Sequence, residues 1–148
     1  MDKLTHTDNK GKAVMVDIGA KENQLRIAKA SGHIILAAET IRIIKDNLIK
    51  KGDVLSVAQI AGICSAKKTS DIIPLCHNIV LDNVKVNAVI DKTGVKVVSE
   101  VHCSGKTGVE MEALTAVSVA LLTVYDMCKA IDKKMIIDNI SLTEKMKK

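Results

Sequence analysis

The sequence of 148 residues predicts an α+β fold, a ferredoxin-like plait in which helices pack on one face of a mostly antiparallel sheet. Three observations carry this expectation. The segment "NVKVNAVIDKTGVKVVSEVHC" alternates apolar and polar residues on both sides of a turn, as a hairpin does. Three other stretches have the spacing or length of helices. Their order along the chain is strand, two helices, two strands, helix, strand, which is how split βαβ units are built.

Taken from the N-terminus, "HIILAA" (His33 to Ala38) is a short apolar run read as a buried strand, preceded by a short N-terminal strand. In "ETIRIIKDNLIKK", Ile41, Ile44 and Leu48 recur at helical spacing, and Gly52 stops that helix. Asp53 is placed to cap the next helix, "DVLSVAQIAGICSAKKTS", while Lys67 and Lys68 complement its dipole. Pro74 breaks helix, so Cys76 and His77 in "IIPLCHN" fall on an extended segment or loop and point in different directions.

In the hairpin, Val84, Val86, Ala88 and Ile90 share a face, Asp91 to Gly94 makes the turn, and Val95, Val97 and Val101 continue the pattern. His102 falls on the polar face with Lys96 and Glu100 and is expected to be exposed. "GKTGVEMEALTAVSVALLTVYDMCKA" reads as one long helix, apolar on more than one side, and "KMIIDNISLTE" as the last strand. With no repeat and no linker, residues 1–148 read as a single domain.

A composition of 47% hydrophobic and 26% charged residues is that of a globular chain. The long helix is interrupted by Glu, Thr and Asp, so no run is expected to reach the ~18–20 apolar residues of a membrane span. The N-terminus has no apolar signal core, which predicts a cytoplasmic protein. Cys64, Cys76, Cys103 and Cys128 are scattered, and are expected to be reduced, with no metal site. No cofactor is expected. The net charge of +5 suits an anionic partner. Tyr125 is the sole aromatic residue, so the stacking platforms of a nucleic-acid binder are missing.

Several positions could carry chemistry. Thr107 and Glu110 have the T-x-x-E spacing of a capping box, which makes a cap the first reading of Glu110. Gly105 and Gly108 around Lys106 would let a phosphate approach, although the spacing is not that of a P-loop. Glu112 and Asp126 share a helix face to within ~40°, yet lie ~21 Å apart along the axis. If both are functional, they serve different sites, or sites shared between subunits. Lys129 neighbours Asp126, either as a surface ion pair or as a phosphate-binding lysine in a cleft. His77 is either structural or an acid–base group. The turn at Lys50 to Asp53 is either solvated or holds a lysine over an anionic substrate. His6 and His33 carry no signal.

Taken together, "KGDVLSVAQIAGICSAKKTSDIIPLCHNIVL" and "GKTGVEMEALTAVSVALLTVYDMCKA" strongly resemble the cyclic pyranopterin monophosphate synthase family, molybdenum cofactor biosynthesis protein C. "LTHTDNKGKAVMVDIGAK" is similar to the family's opening segment. Asn78 departs from the pattern, standing where the family usually has proline after P-L-C-H.

The resemblance implies a small-molecule triphosphate substrate, a cyclised dihydro-GTP supplied by a radical SAM enzyme. It is rearranged to cyclic pyranopterin monophosphate with release of pyrophosphate. Carried over by motif, Asp126, Lys51 and Lys129 would be catalytic. Leu75, Cys76, His77, Met111 and Glu112 would bind substrate, with Glu110 in the same pocket. The resemblance also implies a homohexamer, a trimer of dimers with sites at the dimer interface. Two other readings compete: a basic plait that binds RNA, and a GTP cyclohydrolase-like metal hydrolase. For the second, Cys76, His77, Cys103 and His102 show no trustworthy ligand spacing.

Overall fold

The computed structural model describes residues 6–148. Its central strand, β1 (Gln24–Ile35), alternates between the core and the open face of the sheet: Ala28, Ala30 and Ile34 are buried, while Lys29, Ser31 and His33 lie opposite. These polar residues at every second position hid the strand's first half, so it begins at Gln24 and not at His33 as the apolar run suggested. Lys29 is held there by cross-strand contacts to Glu144 (3.0 Å) and Glu100 (3.6 Å).

Helix α1 (Ala38–Lys45) buries Ile41 and Ile44 but ends earlier than its periodicity promised. Asn47 takes a left-handed conformation (φ 53°), which breaks the helix before Leu48. Leu48 is consequently 64% exposed and not part of the core. Gly52 lies in the following turn at φ 102°, a conformation that only glycine adopts without strain. Asp53 then caps α2 (Val54–Ala66) by accepting from the Ser56 amide at 3.1 Å, as expected. A single turn, α3 (Thr69–Ile72), leads into the loop at Pro74.

The hairpin forms as read: β2 (Asn83–Ile90) pairs with β3 (Gly94–Gly105), with Ile90 opposite Val95. Asp91 ties the turn by accepting from the Thr93 and Gly94 amides at 2.8 and 2.9 Å. His102 is only half-exposed, because its Nε2 lies 2.6 Å from Glu100 Oε1.

The last elements are α4 (Glu110–Cys128) and β4 (Ile136–Lys147). β4 continues beyond the expected Glu144 and pairs with β1 through two register shifts. The strand order is β2-β3-β1-β4, antiparallel throughout, which is the ferredoxin-like plait. Among the described residues no fifth strand precedes β1; an isolated bridge between Thr7 and Ala13 is the nearest feature.

α4 packs against both the sheet and α2, while α2 also rests on β2, so the two helices share one face of the sheet and α4 is covered on two sides, which explains its apolarity. By length and composition it could cross a membrane, contrary to the sequence reading, yet Ala113, Ala116, Val117, Ala120, Leu121 and Val124 are all fully buried in the core. Small residues let the layers approach. A Cβ at Gly62 of α2 would stand 2.9 Å from the Ala116 carbonyl oxygen, and one at Gly32 of β1 would stand 2.8 Å from Leu121 Cδ1.

Candidate functional site

The two ends of α4 carry two separate clusters. At its N-terminal end, a cavity of about 410 Å³ is lined by Leu75, Cys76, His77, Glu110, Met111 and Glu112. All the residues nominated as substrate-binding thus meet in one place. Cys76 and His77, expected to diverge, both reach this cavity because the chain turns at Ile73–Cys76 (N···O 3.1 Å). Asn78, in place of the family's usual proline, accepts a hydrogen bond from the Ser70 hydroxyl and so ties the loop to α3 by a side chain.

Glu112 is only 4% exposed, and its carboxyl accepts a hydrogen bond from its own backbone amide. Burial pushes its carboxyl above the usual carboxylate range, with the charge of Glu110 adding to the effect. Glu110 is pulled the other way. Burial opposes its ionisation, but an ion pair with Lys145 and the field of Arg26 lower its carboxyl overall. Two carboxyls on one helical turn therefore titrate apart, the arrangement that separates an acid from a base. Burial also raises the Cys76 thiol, with Glu112 contributing, so it is not an activated nucleophile.

The capping box does not form. Val109 is the N-cap and no side chain caps it. Glu110 packs over Gly108 instead, where an added Cβ would come within 2.8 Å of Oε1. Lys145, near the end of β4, was not foreseen; no local pattern links it to a residue on α4.

At the other end of α4, Asp126 holds two lysines. Its Oδ2 lies 2.8 Å from Lys51 Nζ, and its Oδ1 lies 2.6 Å from Lys129 Nζ. Lys51 also donates to the Asp126 carbonyl at 3.1 Å. Hydrogen bonds from Lys129 and then Lys51 hold the Asp126 carboxyl down at about 2. Asp126 in turn raises Lys129. All three groups are exposed and charged, so the pairing contributes little stability and mainly fixes geometry. Between Glu112 and Asp126, a rise of about 1.5 Å per residue gives ~21 Å along the helix. One chain does not bring its two clusters together.

Residues 15–148 match the MoaC family. The chain belongs to it. It is 53% identical over 147 residues to the cyclic pyranopterin monophosphate synthase of Heliobacterium modesticaldum, covering 98% of this chain and 92% of that protein. It is 55% identical over 146 residues to the protein of the same name in Clostridium botulinum, covering 97% and 92%. Molybdenum cofactor biosynthesis protein 1 of Drosophila melanogaster is 55% identical over 145 residues, but the chain spans only 26% of its length.

In this MoaC chain the open face of the sheet presents Lys29, Ser31 and His33 and no Phe, Tyr or Trp, the rings on which an RNA-binding plait chiefly stacks bases. His33 is instead held by Asp91 at 2.9 Å in the hairpin turn.

Proposed function

We propose that this chain is a cyclic pyranopterin monophosphate synthase of molybdenum cofactor biosynthesis. It takes the cyclised dihydro-GTP made by a radical SAM enzyme and converts it to cyclic pyranopterin monophosphate and pyrophosphate. One observation carries this reading: the P-L-C-H loop and the V-E-M-E turn, distant in sequence, close a single cavity around the buried carboxyl of Glu112.

The rearrangement needs proton transfers to open and reclose rings, then attack of a hydroxyl oxygen on the α-phosphate, with the bond to pyrophosphate breaking. Glu112, whose carboxyl is pushed towards its neutral form, suits a hydrogen-bond donor or proton donor to the heterocycle. Glu110, held ionised by Lys145, suits an acceptor. At the far cluster, Asp126 stays ionised at neutral pH and so orients the lysines and does not donate protons. Lys51 and Lys129 are then two ammonium groups fixed side by side, suited to charge developing on a phosphate.

A separation of ~21 Å exceeds what one small substrate can bridge. The proposed active site is therefore composite: the cavity of one chain faces the Lys51–Asp126–Lys129 cluster of a second copy. A symmetric dimer would make two such sites, and a trimer of dimers six. The protein would act in the cytoplasm, where GTP is available. Supplying the cyclised dihydro-GTP and assaying both products tests the assignment; folded, assembled protein that yields neither product would refute it.

A further inference from the structure

The roof of the cavity is the segment 6–21, ahead of β1. Val14, Val16 and Ile18 turn inward and are half-buried, while Met15, Asp17 and Gly19 face outward. This is the alternation of a strand, but the segment joins no sheet. Its own turns are local: Val14 bonds back to His6, and Asp17 Oδ1 accepts from the Gly19 amide at 2.7 Å.

Among the described residues, two side chains tie the segment down by hydrogen bonds: His77 from the cavity wall, and Lys106, next in sequence to the wall residue Thr107. His77 Nε2 donates to the Val16 carbonyl at 2.6 Å, and Lys106 Nζ donates to the Gly19 carbonyl at 2.6 Å. Each such bond contributes on the order of 1 kcal/mol, so this strap is secured far more weakly than the sheet beneath it.

The strap also changes the charge of the cavity. The residues nominated from the sequence bring two carboxyls and no permanent cation, and Lys145 is already spent on Glu110. A triphosphate would meet net repulsion there. Lys21, at the base of the strap, lines the cavity and makes no ion pair among the described residues.

We propose that the strap is a moving part of the substrate site: it lifts to admit the triphosphate and, once closed, sets Lys21 against its phosphates. The substrate named here rests on the function proposed above. His77 would then act as the latch, its Nε2 proton committed to Val16 while its other face looks into the cavity.

Two measurements test this. Limited trypsin digestion reads strap opening through cleavage after Lys10, Lys12 and Lys21. Saturating pyrophosphate should slow that cleavage about tenfold, the equivalent of ~1.4 kcal/mol of closure. Unchanged cleavage would overturn the closing strap. In kinetics, Lys21→Ala should raise KM for the cyclised dihydro-GTP about tenfold with kcat within about twofold, and Lys21→Arg should recover most of the loss. An unchanged KM would overturn the role of Lys21 while leaving the reaction itself standing. If the parent protein turns over no substrate, the proposed reaction fails, and protection by pyrophosphate still decides the strap.

Discussion

Lys51 Nζ and Asp126 Oδ2, 75 residues apart in the chain, lie 2.8 Å from each other, joining the turn after α1 to the last turn of α4. The contact is exposed, and its main consequence is that two lysines point the same way. Gly52 at φ 102° makes the tight turn that presents Lys51, and α4 itself presents Lys129 one turn from Asp126.

Replacing Asp126 with Asn or Lys51 with Ala should therefore hurt catalysis and spare folding. We expect kcat to fall by at least about a hundredfold in each, the scale of losing a positioned charge or proton-transfer group. Thermal stability and assembly should stay near those of the parent, since exposed ion pairs stabilise little. Turnover assays beside size-exclusion chromatography check both halves. A fully active variant would remove that residue from the site.

Glu112 should reveal itself through pH. Its folded-state carboxyl is raised by burial, so its contribution to stability is complete below the unfolded value near 4.5 and is lost as pH rises through the folded value. Glu112→Gln keeps the shape and removes the ionisation. Above the folded value it should be more stable than the parent by on the order of 1 kcal/mol, and the gain should shrink as pH falls towards the unfolded value near 4.5. Turnover should fall at the same time. Thermal melts across that range would contradict the assignment if the difference were flat with pH.

The close approach of α2 and α4 predicts a purely structural effect. Gly62→Ala would put a methyl 2.9 Å from the Ala116 carbonyl and 3.0 Å from Val86 Cγ1. The helices must part, at a cost of about 1–3 kcal/mol. Chemical denaturation should show that loss with the per-molecule activity of the folded fraction retained.

How far the sequence reached depended on whether a feature was local. The Asp53 cap and the Ile90–Val95 hairpin register are written within a few residues of themselves, and both formed. The end of α1 was missed because the apolar period runs on past Asn47, whose left-handed backbone is a turn decision that periodicity does not report. The capping box was written locally as well, but α4 begins at Glu110 behind Val109, so Thr107 does not stand at the cap and Glu110 pairs with Lys145 and its own amide instead. The site residues followed from motif resemblance, whereas the angular and axial separation of Glu112 from Asp126 followed from helix geometry alone. Among the described residues the short strand expected ahead of His33 does not form a separate element: residues 6–21 alternate in burial, but no sheet edge is there to receive them.

A composite site makes the most direct test one of subunit mixing. Glu112→Ala and Asp126→Ala proteins, each inactive alone, would be co-refolded at equal amounts and assayed with the cyclised dihydro-GTP. If each site draws its cavity from one chain and its lysine cluster from another, half of the dimers are mixed and each carries one intact site. Activity should then recover to about a quarter of the parent's. Mixed assemblies that form but remain inactive would contradict the account.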